Sequence, residues 1–111
     1  MALLSLDNII ALRYYSCSMI KSFACKETEH IFNREFSKKL PVEIQRRAVR
    51  SLRFLNQADS LQDVAAVPAY RLEKLKGDRL GQYSIRINKQ WRICFEWKDG
   101  DDHNVEVVDY H

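Results

Sequence analysis

The order of patterns along the chain predicts an α+β fold, with helices early and a run of strands late. Three observations carry this reading. Apolar residues recur at helical spacing between residues 31 and 55, the period falls to two from residue 70 onward, and only three glycines and two prolines interrupt 111 residues. The length is that of one domain, in which folding buries about two thirds of the surface of the unfolded chain. With 46% hydrophobic and 30% charged residues, the sequence is excluded from the disordered, collagen-like and low-complexity classes. No apolar run approaches the roughly eighteen residues that a membrane helix requires.

The first eighteen residues are apolar, but they lack the parts of a signal peptide. No basic residue precedes the apolar stretch, Asp7 interrupts it, and no small-x-small cleavage site follows. The basic polar face of a membrane-surface helix is missing too. The functional domain is therefore expected over residues 19–111, with residues 1–18 a peripheral helix or a start-site artefact. Met19 opens the strand-like Met19-Ile20-Lys21-Ser22-Phe23. Ile31, Phe32, Phe36 and Leu40 then share one helical face that Pro41 terminates, which predicts a first helix over residues 26–39. Pro41 sits where a second helix tolerates proline, in its first turn, and Ile44, Ala48, Leu52 and Leu55 recur at core spacing after it. The same helix carries Arg46, Arg47, Arg50 and Arg53 on its other faces. A solvated surface, with Glu43 and Arg47 as an i,i+4 pair, accounts for them better than direct nucleic-acid contact does.

From Tyr70 and Leu72 onward residues alternate, up to a turn at Lys76-Gly77-Asp78. Two clean strand patterns follow: Tyr83, Ile85 and Ile87 form the apolar set of the first, and Trp91, Ile93, Phe95 and Trp97 that of the second. A three-residue loop, Asn88-Lys89-Gln90, sets Ile87 opposite Trp91, Ile85 opposite Ile93 and Tyr83 opposite Phe95, whereas a two-residue loop would put apolar against polar. This register also sets Arg86 opposite Arg92 on the other face. Like charges so placed repel by several tenths of a kcal/mol, so either an anion sits between them or Glu96, Glu73 or Asp109 neutralises them. Residues 104–111 make a last strand, in which Asp109 and His111 point one way and Tyr110 the other. If that strand neighbours the hairpin, Asp109 and His111 are expected to share a face with the two arginines. His30, on a helix surface, and His103, in an acidic turn, receive no role, and Trp91 and Trp97 are read as core.

Charge is unevenly distributed. Residues 64–98 hold eight basic and three acidic side chains, whereas residues 99–111 hold five acidic ones and no Lys or Arg. A basic stretch that runs into an acidic, His-containing tail suits an anion site beside a proton-transfer group. Cys17, Cys25 and Cys94 form neither a C-x-x-C motif nor part of a zinc site, and they read as inert thiols of a reducing compartment. One His and one Asp are too few for a metal site, and there is no nucleophile elbow or phosphate-cradling glycine loop. Phosphodiester cleavage of RNA fits better. RNA supplies its own nucleophile, the 2′-hydroxyl, and asks of the protein only a base, an acid and cations.

Five ordered blocks, Met19-Ile-Lys-Ser-Phe23, Arg71-Leu-Glu-Lys-Leu-Lys-Gly-Asp78, Gly81-Gln-Tyr-Ser-Ile-Arg-Ile-Asn88, Gln90-Trp-Arg-Ile-Cys-Phe95 and Val108-Asp-Tyr-His111, resemble the HigB toxins of the RelE superfamily. The resemblance implies a small, mostly antiparallel twisted sheet with two N-terminal helices packed on one face. It implies a cytoplasmic bacterial toxin of a type II toxin–antitoxin system. Such a toxin is a metal-independent endoribonuclease without cofactors, cutting messenger RNA on the ribosome and silenced by a HigA-type helix-turn-helix antitoxin through which alone it meets DNA. Residue by residue, it implies catalytic roles for Arg92, Asp109, Tyr110 and His111. Glu73, where some members carry a histidine, becomes a base or an orienting group for Arg92. Arg71, Lys76 and Arg86 are implied in holding RNA phosphate. The alternative is a module of the same fold that binds antitoxin or ribosomal RNA without cutting it.

Overall fold

Four strands form one sheet in the order of the chain, each antiparallel to the next: β1 (Glu73–Lys74), β2 (Gln82–Arg86), β3 (Trp91–Lys98) and β4 (Asp101–Asp109). The structure, a computed structural model, describes residues 19–110, so the expectations for residues 1–18 and for His111 fall outside the described residues. Among the described residues three helices precede the sheet, α1 (Lys26–Phe32), α2 (Val42–Gln57) and α3 (Leu61–Ala65), and the α+β class is as the sequence predicts. The Met19–Phe23 segment runs along the outer edge of β4 in the parallel sense. Ile20 bridges Asp102 and Phe23 bridges Val105, with Ala24 donating its N–H to the Val105 carbonyl at 2.9 Å.

The second helix forms for the reason its pattern gives. Ile44, Ala48, Leu52 and Leu55 are all buried, joined by Ser51, and Pro41 stands at the N-cap, where its missing N–H leaves nothing unsatisfied. Each of the large side chains contributes about 1.5–3 kcal/mol by leaving water. They pack with Ile31 of α1 and Val64 of α3 onto Ile85, Ile87, Ile93, Phe95, Val105 and Val107 of the sheet. All three helices thus cover one sheet face. Arg47 does not pair with Glu43 as the spacing suggests, but reaches across to donate to the Ile87 carbonyl at 3.1 Å.

The first helix is shorter than residues 26–39. It stops at Asn33, and Arg34 adopts a left-handed conformation, φ 64°. The Glu35 N–H closes on the His30 carbonyl at 2.8 Å and that of Arg34 on Ile31 at 2.9 Å, the hydrogen-bond pair of a Schellman end. The His30 ring bonds the Glu35 carboxylate across this end at 2.7 Å, which raises the histidine above its ordinary value. Beyond it the chain is fixed from α2: Gln45 accepts from the Ser37 N–H and donates to the Ser37 and Leu40 carbonyls. Phe36 consequently faces solvent, 65% exposed, and is not a core residue.

The β2–β3 hairpin has the predicted register, with Tyr83 opposite Phe95, Ile85 opposite Ile93 and Arg86 opposite Arg92. Asn88 builds its turn, the side-chain oxygen accepting from the N–H groups of Gln90 and Trp91, both at 2.8 Å. The β3–β4 turn is tighter than expected. Asp99 and Gly100 both have positive φ, 54° and 79°, in a two-residue loop of the kind that an Asp-Gly pair favours. Strand β4 therefore begins at Asp101, and His103 lies in it opposite Glu96 rather than in a turn. Asn104, at φ 51°, absorbs an extra residue in β4 as a bulge. On the N-terminal side of the sheet, Tyr70 belongs to a 3-10 turn (Pro68–Tyr70) and not to a strand, so β1 is only two residues long.

Helix α1 is tied to β4 through one buried hydroxyl. The Val107 N–H donates to Thr28 Oγ1 at 2.9 Å, and Thr28 is fully buried. Thr28→Val keeps the shape but orphans that N–H, so urea denaturation is expected to show a loss of about 1–3 kcal/mol. An unchanged midpoint would contradict this tie.

Candidate functional site

The sheet face turned away from the helices carries the polar residues of the hairpin. Period two puts Ser84, Arg86, Arg92 and Cys94 on it together, because Ser84 pairs with Cys94 and Arg86 with Arg92. Arg92 is only 8% exposed, and burying a guanidinium requires that oxygen atoms replace its water. Nε donates to Ser84 Oγ at 2.7 Å, and Nη2 donates to the Arg71 carbonyl at 2.8 Å and the Ser84 carbonyl at 3.4 Å. The Glu73 carboxylate stands 3.8 Å from Nη2. Nη1 makes no hydrogen bond among the described residues.

Local backbone geometry supplies these partners. The Arg71 carbonyl is available because the residue is left-handed, φ 45°, as the chain leaves the Pro68–Tyr70 turn. Tyr110 is held by its N–H, which donates to the Gln90 carbonyl at 2.6 Å and carries the ladder one residue past Asp109. Its ring then covers the arginine, with the Arg92 Cζ 5.4 Å from the ring centroid. Beside it opens a cavity of about 560 Å³ lined by Glu73, Lys74, Lys76, Asp78, Arg79 and Tyr110. Arg79 is braced by Gln82 at 2.9 Å and Glu106 at 3.4 Å. Cys94 lies on this face, but burial holds its thiol above the ordinary range, against the pull of Arg79 and Arg92, so it is no nucleophile.

Of the residues the sequence singles out, the structure brings Arg92, Glu73, Lys76 and Tyr110 together, with Arg71 contributing its carbonyl. It does not bring Asp109. Strand β4 does neighbour the hairpin, but Arg92 pairs with Val108 and Trp91 with Asp109, so Asp109 takes the face of Trp91 and Tyr110 the face of Arg92. The Asp109 carboxylate instead accepts from Gln90 Nε2 at 3.0 Å. The expected sharing of a face by Asp109 and the two arginines is thereby corrected. Arg86 also turns aside, its Nε donating to the Asn88 carbonyl at 3.1 Å, so the two facing arginines diverge and Glu73 balances Arg92. Three site residues escaped the sequence reading: Ser84, Arg79 and Lys74. Ser84 was visible in principle, as the residue of the polar face two positions from Arg86.

Cations, a carboxylate and a phenol around a pre-formed guanidinium, on a face that no helix of the described residues covers, can bind a phosphate-sized anion and move a proton beside it. Among the described residues no group of three His, Cys, Asp or Glu side chains is placed to hold a metal ion, and no helix is long and apolar enough to cross a membrane. The fold is shared with a solved structure: a chain of the heterotetrameric YoeB-YefM toxin-antitoxin complex from Staphylococcus aureus superposes with a TM-score of 0.51 at 22% identity, covering 85% of this chain and 97% of that one. Residues 21–111 match the family model described as the RelE-like toxin of the type II toxin-antitoxin system HigB. The chain belongs to the HigB-like toxin family. It is 32% identical over 93 residues to Endoribonuclease HigB of Proteus vulgaris, covering 84% of this chain and 100% of the relative. Toxin HigB-1 of Vibrio cholerae is 39% identical over 61 residues, covering 55% of this chain and 64% of that protein.

Ser84→Ala removes the closest acceptor of Arg92 and leaves Nε buried without one. A loss of about 1–3 kcal/mol is expected in guanidinium or urea titrations. Stability equal to the parent would show that the hydroxyl does not hold the arginine.

Proposed function

We propose that this chain is an endoribonuclease toxin that cuts messenger RNA without a metal ion, with residues 19–111 as the toxin unit. The observation that carries the reading is the state of Arg92: buried, fixed by Ser84 and by the Arg71 carbonyl, and with Nη1 unbonded among the described residues beside Tyr110 and Glu73. Such a group is organised before any ligand arrives, and so can stabilise charge that develops on phosphorus without reorganising. The Proteus vulgaris relative, whose name is that of an endoribonuclease, supports the same activity here.

In the proposed reaction the ribose 2′-oxygen attacks the adjacent phosphorus and loses its proton to a base, while an acid protonates the departing 5′-oxygen. The products are a 2′,3′-cyclic phosphate and a 5′-hydroxyl. Arg92 holds the non-bridging oxygens, and Lys76 adds charge from the cavity wall. Glu73, beside Arg92 and lining the same cavity, suits the base, a role that the position of Asp109 on the opposite face does not favour. His111 follows Tyr110 directly and is assigned the second proton transfer. Tyr110 stacks on a base or donates to the phosphate. The partner is a HigA-type antitoxin, the site of action the ribosome and the compartment the cytoplasm, and DNA is met only through the antitoxin.

The test is end-mapping of a defined messenger incubated with the purified chain, with and without translating ribosomes. Cleavage leaving cyclic phosphate ends is expected from the parent chain, and a fall of about 10²–10³-fold from Arg92→Lys, which keeps the charge but loses the fork. Equal cleavage by Arg92→Lys would remove the arginine from the mechanism. Ribosome binding without any cutting would leave a docking module in place of a nuclease.

A further inference from the structure

A second cavity, of about 810 Å³, opens between α2, the Pro68–Tyr70 turn and the β2–β3 loop. Five of its lining side chains are cationic, Arg47, Arg50, Arg71, Arg86 and Lys89, and none is acidic. Two are held in place by backbone carbonyls: Arg47 donates to Ile87 and Arg86 to Asn88, both at 3.1 Å. Their positive charge is thus concentrated and partly ordered in the absence of any anion. The remaining wall includes Tyr70, whose ring is buttressed by Phe54 at 5.1 Å between centroids.

This cavity adjoins the Arg92 site through two residues. Arg71 gives its carbonyl to Arg92 while its side chain lines the cavity, and Arg86 is the cross-strand partner of Arg92, at a Cα separation of about 5 Å in any antiparallel pair. A strand bound with one phosphate at Arg92 therefore meets the cavity as it continues along the surface. Cations combined with an aromatic wall are what single-stranded nucleic acid uses, since every base has a face to stack, whereas an acidic peptide would have no use for Tyr70. We infer that the basic cavity is a second RNA-binding subsite, taking the phosphates of the single-stranded RNA that leaves the Arg92 site. This rests on the nuclease reading for its choice of strand, but it requires binding alone, not cleavage.

The two readings are separated by measuring binding of uncleavable 2′-O-methyl RNA to the full chain without ribosomes, as a dinucleotide and as an octanucleotide, over a series of salt concentrations. Arg50 and Lys89 are exposed and their side chains hold no hydrogen bond among the described residues, so Arg50→Gln with Lys89→Gln should spare the fold, which thermal melting checks. The parent is expected to bind the octanucleotide more tightly than the dinucleotide. In the double variant that advantage should fall about tenfold, and the slope of log K against log salt by about 1.4, for two lost phosphate contacts on a single strand. An unchanged octanucleotide affinity in the variant overturns the proposal. So does equal binding of a Glu-rich peptide to the parent, which would make the cavity a seat for an acidic protein segment, or loss of ribosome binding alone, which would assign it to ribosomal RNA. A parent that shows the length advantage but cuts no messenger faults the nuclease reading and leaves the subsite standing.

Discussion

Burial of one guanidinium organises the molecule. Arg92 lies in the sheet with its charge almost out of water, a position made tolerable by the oxygen atoms that meet its Nε and Nη2 donors. Ser84 is in reach because β2 and β3 pair in the one register that keeps the apolar face intact. A slip of β3 by one residue would drive the arginine onto the face of Ile85 and expose Ile93 and Phe95 instead. The hydrophobic core therefore sets where the charge stands, and the Arg71 carbonyl and Tyr110 close over it only because of that placement.

The two faces of the sheet divide the labour. On one, α1, α2 and α3 bury a continuous apolar cluster that supplies the stability of a small domain. On the other no helix of the described residues packs, and the residues that would be wasteful in a core hold each other in pairs, Arg92 with Ser84 and Arg79 with Glu106. A rigid scaffold with one polar face is well suited to presenting fixed cations to a flexible polyanion, since ordering is completed in folding and not at the moment of binding.

Legibility in the sequence follows the range of the interactions. The hairpin register was readable because both strands alternate cleanly and the loop length decides between only two pairings. Helix α2 was readable because its stripe, Ile44 to Leu55, runs for about three turns. The end of α1 was not, because Phe36 continues the helical spacing and only contacts from Gln45 and Glu27 to Ser37 reveal that the chain has left the helix. Helix α3 is five residues long, too short for periodicity to show. Asp99-Gly100 was a turn signal in plain sight, and reading it would have put His103 in β4. The face of Asp109 was legible as well: Val105 and Val107 are buried, and alternation carries their side of the sheet to Asp109 and the opposite side to Tyr110. The divergence of Arg86 from Arg92 depends on a backbone carbonyl in the turn, which no pattern of side chains encodes.

The central claim is that Arg92 is locked by Ser84 before RNA arrives and meets phosphate with the nitrogen left over. Nitrogen-edited NMR of the arginine side chains tests it directly, in the free protein and with an uncleavable RNA dinucleotide. The Arg92 Nε–H signal should stand apart from the solvent-exposed arginines and exchange slowly in the free protein, and its Nη signals should move on addition of the dinucleotide. An Arg92 signal that merges with the exposed arginines, or that stays still while others shift, would contradict the account.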